Sequence, residues 1–250
     1  MAGMIEDLGG PPEPGREGSD RGWGGRPWRV PWTLGDVGWA VALVVAGTTA
    51  AMMAVAATSA TEEEARRTLL APWSTAALEG LMLAAVWLLA RVRRGAPWRA
   101  LGLRPARGRW AMALPWVALA AGLLFSGAYA AVVQALGIEW LTPPEPPAEL
   151  ARTGVLKVLN FLVIGLWGPF TEEVFFRGFV LQALLARWPT AWAAAASAAL
   201  FAITHVDPAV LLPIFVTGLL LAWLFIRTRS IWPPVVAHAA QNVLALTVAF

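Results

Sequence analysis

Thr171-Glu172-Glu173-Val174-Phe175-Phe176-Arg177-Gly178 is the stretch on which the fold turns. Its flanks, residues 155–169 and 179–185, are almost wholly apolar. If those flanks span a bilayer, Glu172, Glu173 and Arg177 lie at hydrocarbon depth. A charged side chain at a helix centre costs roughly 2.5–3.5 kcal/mol on insertion scales, so such residues face a bundle interior and act there. Glu173 and Arg177 are four apart with the acid first, the favourable order for an ion pair on one helix face. Glu172 points about 100° away round the axis and needs a different partner.

Composition supports a membrane setting. Of 250 residues, 58% are hydrophobic and 14% charged, against about 25% charged in an ordinary soluble domain. Mean hydropathy is +0.61, and apolar runs recur along the chain, which points to an all-α, polytopic helical bundle. Many Trp residues stand near run ends (Trp32, Trp39, Trp73, Trp98, Trp110, Trp140, Trp188, Trp232), where indole prefers the membrane interface. With no cysteine, disulfides, thiol catalysis and thiolate metal sites are excluded. No zinc knuckle, recognition helix or Lys-rich arm supports nucleic-acid binding. The apolar runs begin too late for an ordinary signal peptide.

In chain order, residues 1–35 read as a disordered polar tail rich in Gly and Pro. Residues 36–150 hold the N-terminal spans and loops, and residues 151–250 the core that carries the chemistry. Spans are expected at about 37–58, 73–90 and 110–136, with Pro115 bending the start of the third. Glu62, Glu63, Glu64, Arg66 and Arg67 occupy a short loop after the first span. Residues 91–109 carry seven Arg and no acid, and residues 137–150 are Pro-rich and acidic. A fourth helix, about 154–185, is long enough that it must tilt, project or break near Gly165–Pro169. Shorter runs at about 191–205, 209–226 and 235–250 bring the count to about seven, with the site among the last four. Arg16, Arg21, Arg26, Arg29, the basic loop, Arg187, Arg227 and Arg229 fall on one set of alternate sides, against Arg66, Arg67 and Arg152. That bias puts the N-terminus in the cytoplasm, and the reading is an integral protein of a bacterial cytoplasmic membrane.

Few polar groups remain within the spans: Glu79, Gln134, Lys157, Asn160, the Glu172/Glu173/Arg177 group, His205, His238 and Asn242. Lys157 reads as snorkelling from a helix end. Gln134 and Asn160 read as interhelical hydrogen-bonding groups, and Glu79 as structural. His205 and Glu172 each lie about 20 Å from the turn that joins their helices, so they share a depth. His238 lies only about 10 Å from its own helix end and joins them if that helix starts deeper. Asn242 follows His238 by four, on the same face.

Glu172-Glu173-x-x-x-Arg177, Phe201-x-x-x-His205 and His238-x-x-x-Asn242, in that order, resemble the CPBP intramembrane proteases, which include the CAAX prenyl endopeptidase and bacterial Abi proteins linked to bacteriocin self-immunity. Leu101-Gly-Leu-Arg104 and Ser230-Ile-Trp-Pro-Pro also look like that family. The resemblance covers about residues 150–250. It implies that Glu172 activates a water with help from His205, while His238 and Asn242 stabilise the oxyanion. Glu173 and Arg177 would hold Glu172 in place. The residues alone agree, since two adjacent bare carboxylates repel. A second version puts Zn²⁺ on His205, His238 and Glu172, where it would lower the pKa of bound water to about 7. The residue types permit either.

The expected activity is therefore endopeptidase cleavage of a peptide or membrane-associated, prenylated-type substrate near the cytoplasmic leaflet, in contact with the lipid bilayer. A non-proteolytic scaffold or immunity-type binding module is the alternative on the same fold. A proton channel or transporter is the third, but it calls for polar groups leading to both faces, and these cluster toward one side.

Overall fold

The computed structural model describes residues 28–58, 63–142 and 154–248. The tail over 1–27, the turn at 59–62 and the Pro-rich stretch 143–150 therefore lie outside the described residues. Among those described, all regular structure is helical: α1 Leu34–Thr58, α2 Glu63–Val86, α3 Leu114–Leu136, α4 Val155–Leu162, α5 Gly168–Glu172, α6 Gln182–Leu185, α7 Thr190–Ile203, α8 Pro208–Thr228 and α9 Trp232–Val248. A π-helical stretch, Trp87–Val92, continues α2. Two more, Val163–Trp167 and Glu173–Leu181, join α4, α5 and α6 into one unbroken run.

Local chemistry sets the helix ends. Ahead of α1, the Thr33 amide donates to Asp36 Oδ2 (2.8 Å) and the Asp36 amide to Thr33 Oγ1 (3.2 Å), a reciprocal cap of the capping-box kind. Asp207 caps α8 by accepting the Ala209 amide at 2.9 Å, with Pro208 as first helical residue. Pro115 stands in the first turn of α3, so it starts that helix and does not bend it. Glu63 already belongs to α2, where a loop was expected.

Five helical segments are long and apolar enough to cross a membrane: Leu34–Ala51, Thr75–Val92, Leu114–Leu136, Lys157–Leu185 and Pro208–Thr228. These are counted by length and composition among the described residues; the expected seven included α7 and α9 as well. With 14 residues, α7 reaches only about 21 Å, short of a hydrocarbon core about 30 Å thick. With 17 residues, α9 reaches about 25 Å. Both pack within the bundle, α7 against α8 and α9 against α3 and α8.

The long run does not break at Gly165–Pro169, and its wide turn follows from Pro169. In the π-helical register the Gly168 amide donates to the Val163 carbonyl. The next carbonyl, that of Ile164, would take residue 169, which is proline and has no N–H. Asn242 of α9 supplies the missing donor, Nδ2 to the Ile164 carbonyl at 2.9 Å. The chain stays helical because a side chain from another helix completes it.

Beyond this turn every residue of Glu173–Leu181 is buried, and the main core gathers round Phe175, Phe176, Phe179 and Leu181. Trp32, placed at the interface by the sequence pattern, is fully buried: its indole stacks on Phe179 and its Nε1–H donates to the Phe179 carbonyl at 2.9 Å. Trp28 is also buried and packs on Phe225. Trp28 and Trp32, in the stretch assigned to the tail, thus belong to the core, while Arg29 and Pro31 between them are exposed. The remaining Trp residues of the interface set are 42–71% exposed, as that role requires.

The basic loop is fastened to the long run. Gln182 Nε2 donates to the Ala100 carbonyl (2.8 Å), and the Leu101 carbonyl lies so close to Gly178 that a Cβ there would meet it at 2.7 Å. On its other side the loop binds the α8–α9 turn through Ile231 N to Gly102 O (3.0 Å), Ser230 Oγ to Arg104 O (2.6 Å) and Arg104 Nε to Arg229 O (2.7 Å). Leu101–Arg104 and Ser230–Pro234, far apart in the chain, are two sides of one contact.

Candidate active site

The centre of the site is Glu173, with no solvent exposure. Its Oε1 accepts Arg177 Nη1 at 2.8 Å, the expected one-face pair. The same oxygen meets His238 Nδ1 at 3.0 Å. Arg177, also fully buried, donates from Nη2 to the Gly218 carbonyl of α8 at 3.1 Å and lies 4.5 Å from the Phe201 ring centre. A buried guanidinium needs both kinds of compensation, charge and hydrogen bond.

His238 joins this group because α9, which starts at Trp232, three residues earlier than expected, docks on the long run with Ile231, Pro233 and Pro234 buried under the basic loop. Glu173 holds Nδ1, which fixes the ring and turns Nε2 toward Glu172, 3.8 Å from its Oε2. That Glu172 oxygen is buried and has no hydrogen-bond partner. An acceptor in this state, facing an imidazole nitrogen, is a position for a water molecule between them.

His205 follows α7 in an exposed turn. Its Nδ1 lies 3.0 Å from the Phe201 carbonyl. A carbonyl only accepts, so Nδ1 carries the proton and Nε2 presents a lone pair. The His205 and His238 rings stand edge-on to Phe201, at 5.1 Å and 5.6 Å between centroids. Phe201 is the spacer that sets the two imidazoles apart. Asn242 commits one amide proton to Ile164 and keeps the other.

Of the six site residues read from the sequence, Glu172, Glu173, Arg177 and His238 form one contact network. His205 joins through Phe201 and Asn242 through Ile164. Glu79, read from the sequence as structural, is 6% exposed, and Thr171 Oγ1 donates to its Oε2. Its sequence signal was a carboxylate within a span, but its partner lies 92 residues on, beyond any local spacing rule.

Among the described residues no group of three His, Asp or Glu side chains gathers as a metal-holding set. His238 has Nδ1 on Glu173 and Nε2 free, the arrangement in which a carboxylate orients a histidine for water or for a metal alike, and the steps below run through the protein's own residues.

Residues 154–244 match the family model described as Type II CAAX prenyl endopeptidase Rce1-like. A curated protein of Bacillus subtilis (strain 168), "Putative membrane peptidase YdiL", is 34% identical over 84 residues. That match covers 34% of this chain and 34% of the relative, so the chain spans about a third of the length of the curated relative it matches. No solved structure matches.

Proposed function

We propose, from a helical membrane protein whose residues 154–244 form a CPBP-type membrane-protease region, that the chain is an intramembrane endopeptidase in which Glu172 activates the attacking water. The observation that carries this is the unpartnered, buried Oε2 of Glu172 facing His238 Nε2. A carboxylate with an open acceptor takes a proton from water as general base. The new hydroxyl attacks the scissile carbonyl, whose oxygen becomes negative.

The second amide proton of Asn242 is one donor for that oxyanion, and His238, whose Nδ1–H is held by Glu173, donates from Nε2 in its doubly protonated form. His205 Nε2, with its lone pair, helps to bind and orient the water. Glu172 then passes its proton to the leaving amine. The Glu173–Arg177 pair keeps the compensating charge fixed throughout, so the site reorganises little during the reaction. The substrate is a peptide or membrane-associated protein, of prenylated type by the family reading. The Arg distribution puts the site's open side and the N-terminus toward the cytoplasm.

A binding module remains the second reading, because the Glu173–Arg177–His238 network would lock helix packing with or without catalysis. The test is cleavage of a quenched prenyl-peptide, or of a proteome-derived peptide library, by detergent-purified protein. Glu172→Gln and His205→Ala are expected to keep the wild-type Tm and lose cleavage. Wild-type rates in both variants sink the protease reading. A chelator should leave cleavage intact, whereas loss restored by stoichiometric Zn²⁺ would overturn the metal-free version.

A further inference from the structure

Glu79 is a buried carboxyl that the mechanism above does not use. It lies on α2, about one turn into the span Thr75–Val92, whose other residues carry no acid. Hydrocarbon-depth carboxyls persist where they have a partner and a task, and Glu79 has two neighbours on the catalytic run. Its Oε2 receives the Thr171 hydroxyl, which also lies 3.0 Å from the Gly168 carbonyl. Thr171 is the residue immediately before Glu172, so this bond ties Glu79 to the base's neighbour on the same short helix. Gly168 makes room for this approach, since a Cβ there would stand 3.7 Å from Glu79 Oε1.

The placement matters because of what α5 is. Five residues, Gly168–Glu172, lie between two π-helical stretches, whose looser hydrogen bonding defines side-chain direction less firmly than an α-helix. Asn242 fixes the upstream stretch. Glu173, through Arg177 and His238, fixes the downstream one. Glu172 itself has neither tie. Glu79 reaches this turn from α2 and holds the preceding residue, Thr171.

We propose that Glu79 is a positioning residue for the hydrolysis: with Thr171 it clamps α5 and sets the direction in which the Glu172 carboxyl presents its free oxygen to water. The proposal rests on Glu172 being the base. A misdirected base costs turnover steeply and substrate affinity little.

The experiment compares Glu79→Leu, Glu79→Gln and Thr171→Val on the peptide substrate, with Glu172→Gln alongside. Leucine fills the site without a polar group, and valine copies threonine without its hydroxyl. Glu79→Leu and Thr171→Val are expected to lower kcat by about 10-fold to 100-fold, with KM unchanged and the protein still folded at the assay temperature despite a lower Tm. Glu79→Gln, which keeps length and hydrogen bonding, should return most of the loss. Wild-type kcat in Glu79→Leu overturns the proposal, as does a loss of kcat that only tracks a fall in Tm. If Glu79→Leu does not fold, Thr171→Val decides by the same criteria. A readout without catalysis separates this proposal from the protease reading: the Tm effects of Glu79→Leu and Glu172→Gln should be non-additive in the double variant. Additive shifts mean the two carboxyls do not act on each other, and the clamp falls even where cleavage is normal. Non-additive shifts together with full cleavage by Glu172→Gln would keep the contact and reject Glu172 as the base.

Discussion

At the scale of single residues, the site depends on one carboxylate oxygen with two cationic or polar partners. Glu173 Oε1 takes both Arg177 and His238, so one group sets the charge balance and the imidazole's orientation. Arg177→Ala leaves that carboxylate buried without its cation, which costs about 3–5 kcal/mol. Its Tm in detergent should fall sharply, and a Tm within a few degrees of wild type would contradict the assignment. The pair was legible in the sequence because residues four apart on a helix share a face. The His238 bond was not, because it depends on more than where α9 starts. Three residues of proline-rich lead, Trp232–Pro234, fold into the helix and put His238 about 9 Å along it, much as counted; what spacing along one helix cannot show is how α9 docks on the long run. Glu79 was illegible for a related reason: spacing rules work along one helix, and its partner Thr171 is on another.

At the scale of elements, close approach matters as much as helix formation. The long run was legible as one apolar stretch, and its irregular point was located at Gly165–Pro169. The outcome there, a wide turn completed by Asn242, needed a partner that periodicity cannot supply. The contact between this run and the basic loop is backbone against backbone at Gly178, where the obstacle to a Cβ is the Leu101 carbonyl oxygen at 2.7 Å. Gly178→Ala should therefore cost about 1–3 kcal/mol through overpacking, because a carbonyl cannot rotate aside like a side chain. Thermal unfolding of the purified variant checks this. An unchanged Tm would mean the loop is free to lift off. Gly102 is constrained from the same contact: its φ is +82°, and a Cβ there would meet Phe225 at 2.7 Å.

At the scale of the whole molecule, hydropathy shows the class and the five long spans. It treats every apolar run alike, whereas α7 and α9 are shorter helices packed against longer neighbours. It also misplaced the chain's ordered beginning. Gly and Pro around Trp28 and Trp32 read as tail, yet both indoles are core, and Trp28 additionally lies 3.6 Å beneath the Arg229 guanidinium. The matched region, residues 154–244, is thus enclosed by parts of the chain outside it: residues 28–33 on one side and the loop 98–107 on the other. Arg107 N adds a further bond, to the Thr228 carbonyl at 3.0 Å. This has a consequence for recombination. A chimaera that transplants only residues 154–244 into a relative's front half trades a fitted seam for an unmatched one. Carrying residues 28–33 and 98–107 along should recover monodisperse protein in detergent where the bare transplant aggregates. The natural crossover unit of this protein is discontinuous in sequence, the matched region together with two short pieces of its wrapping.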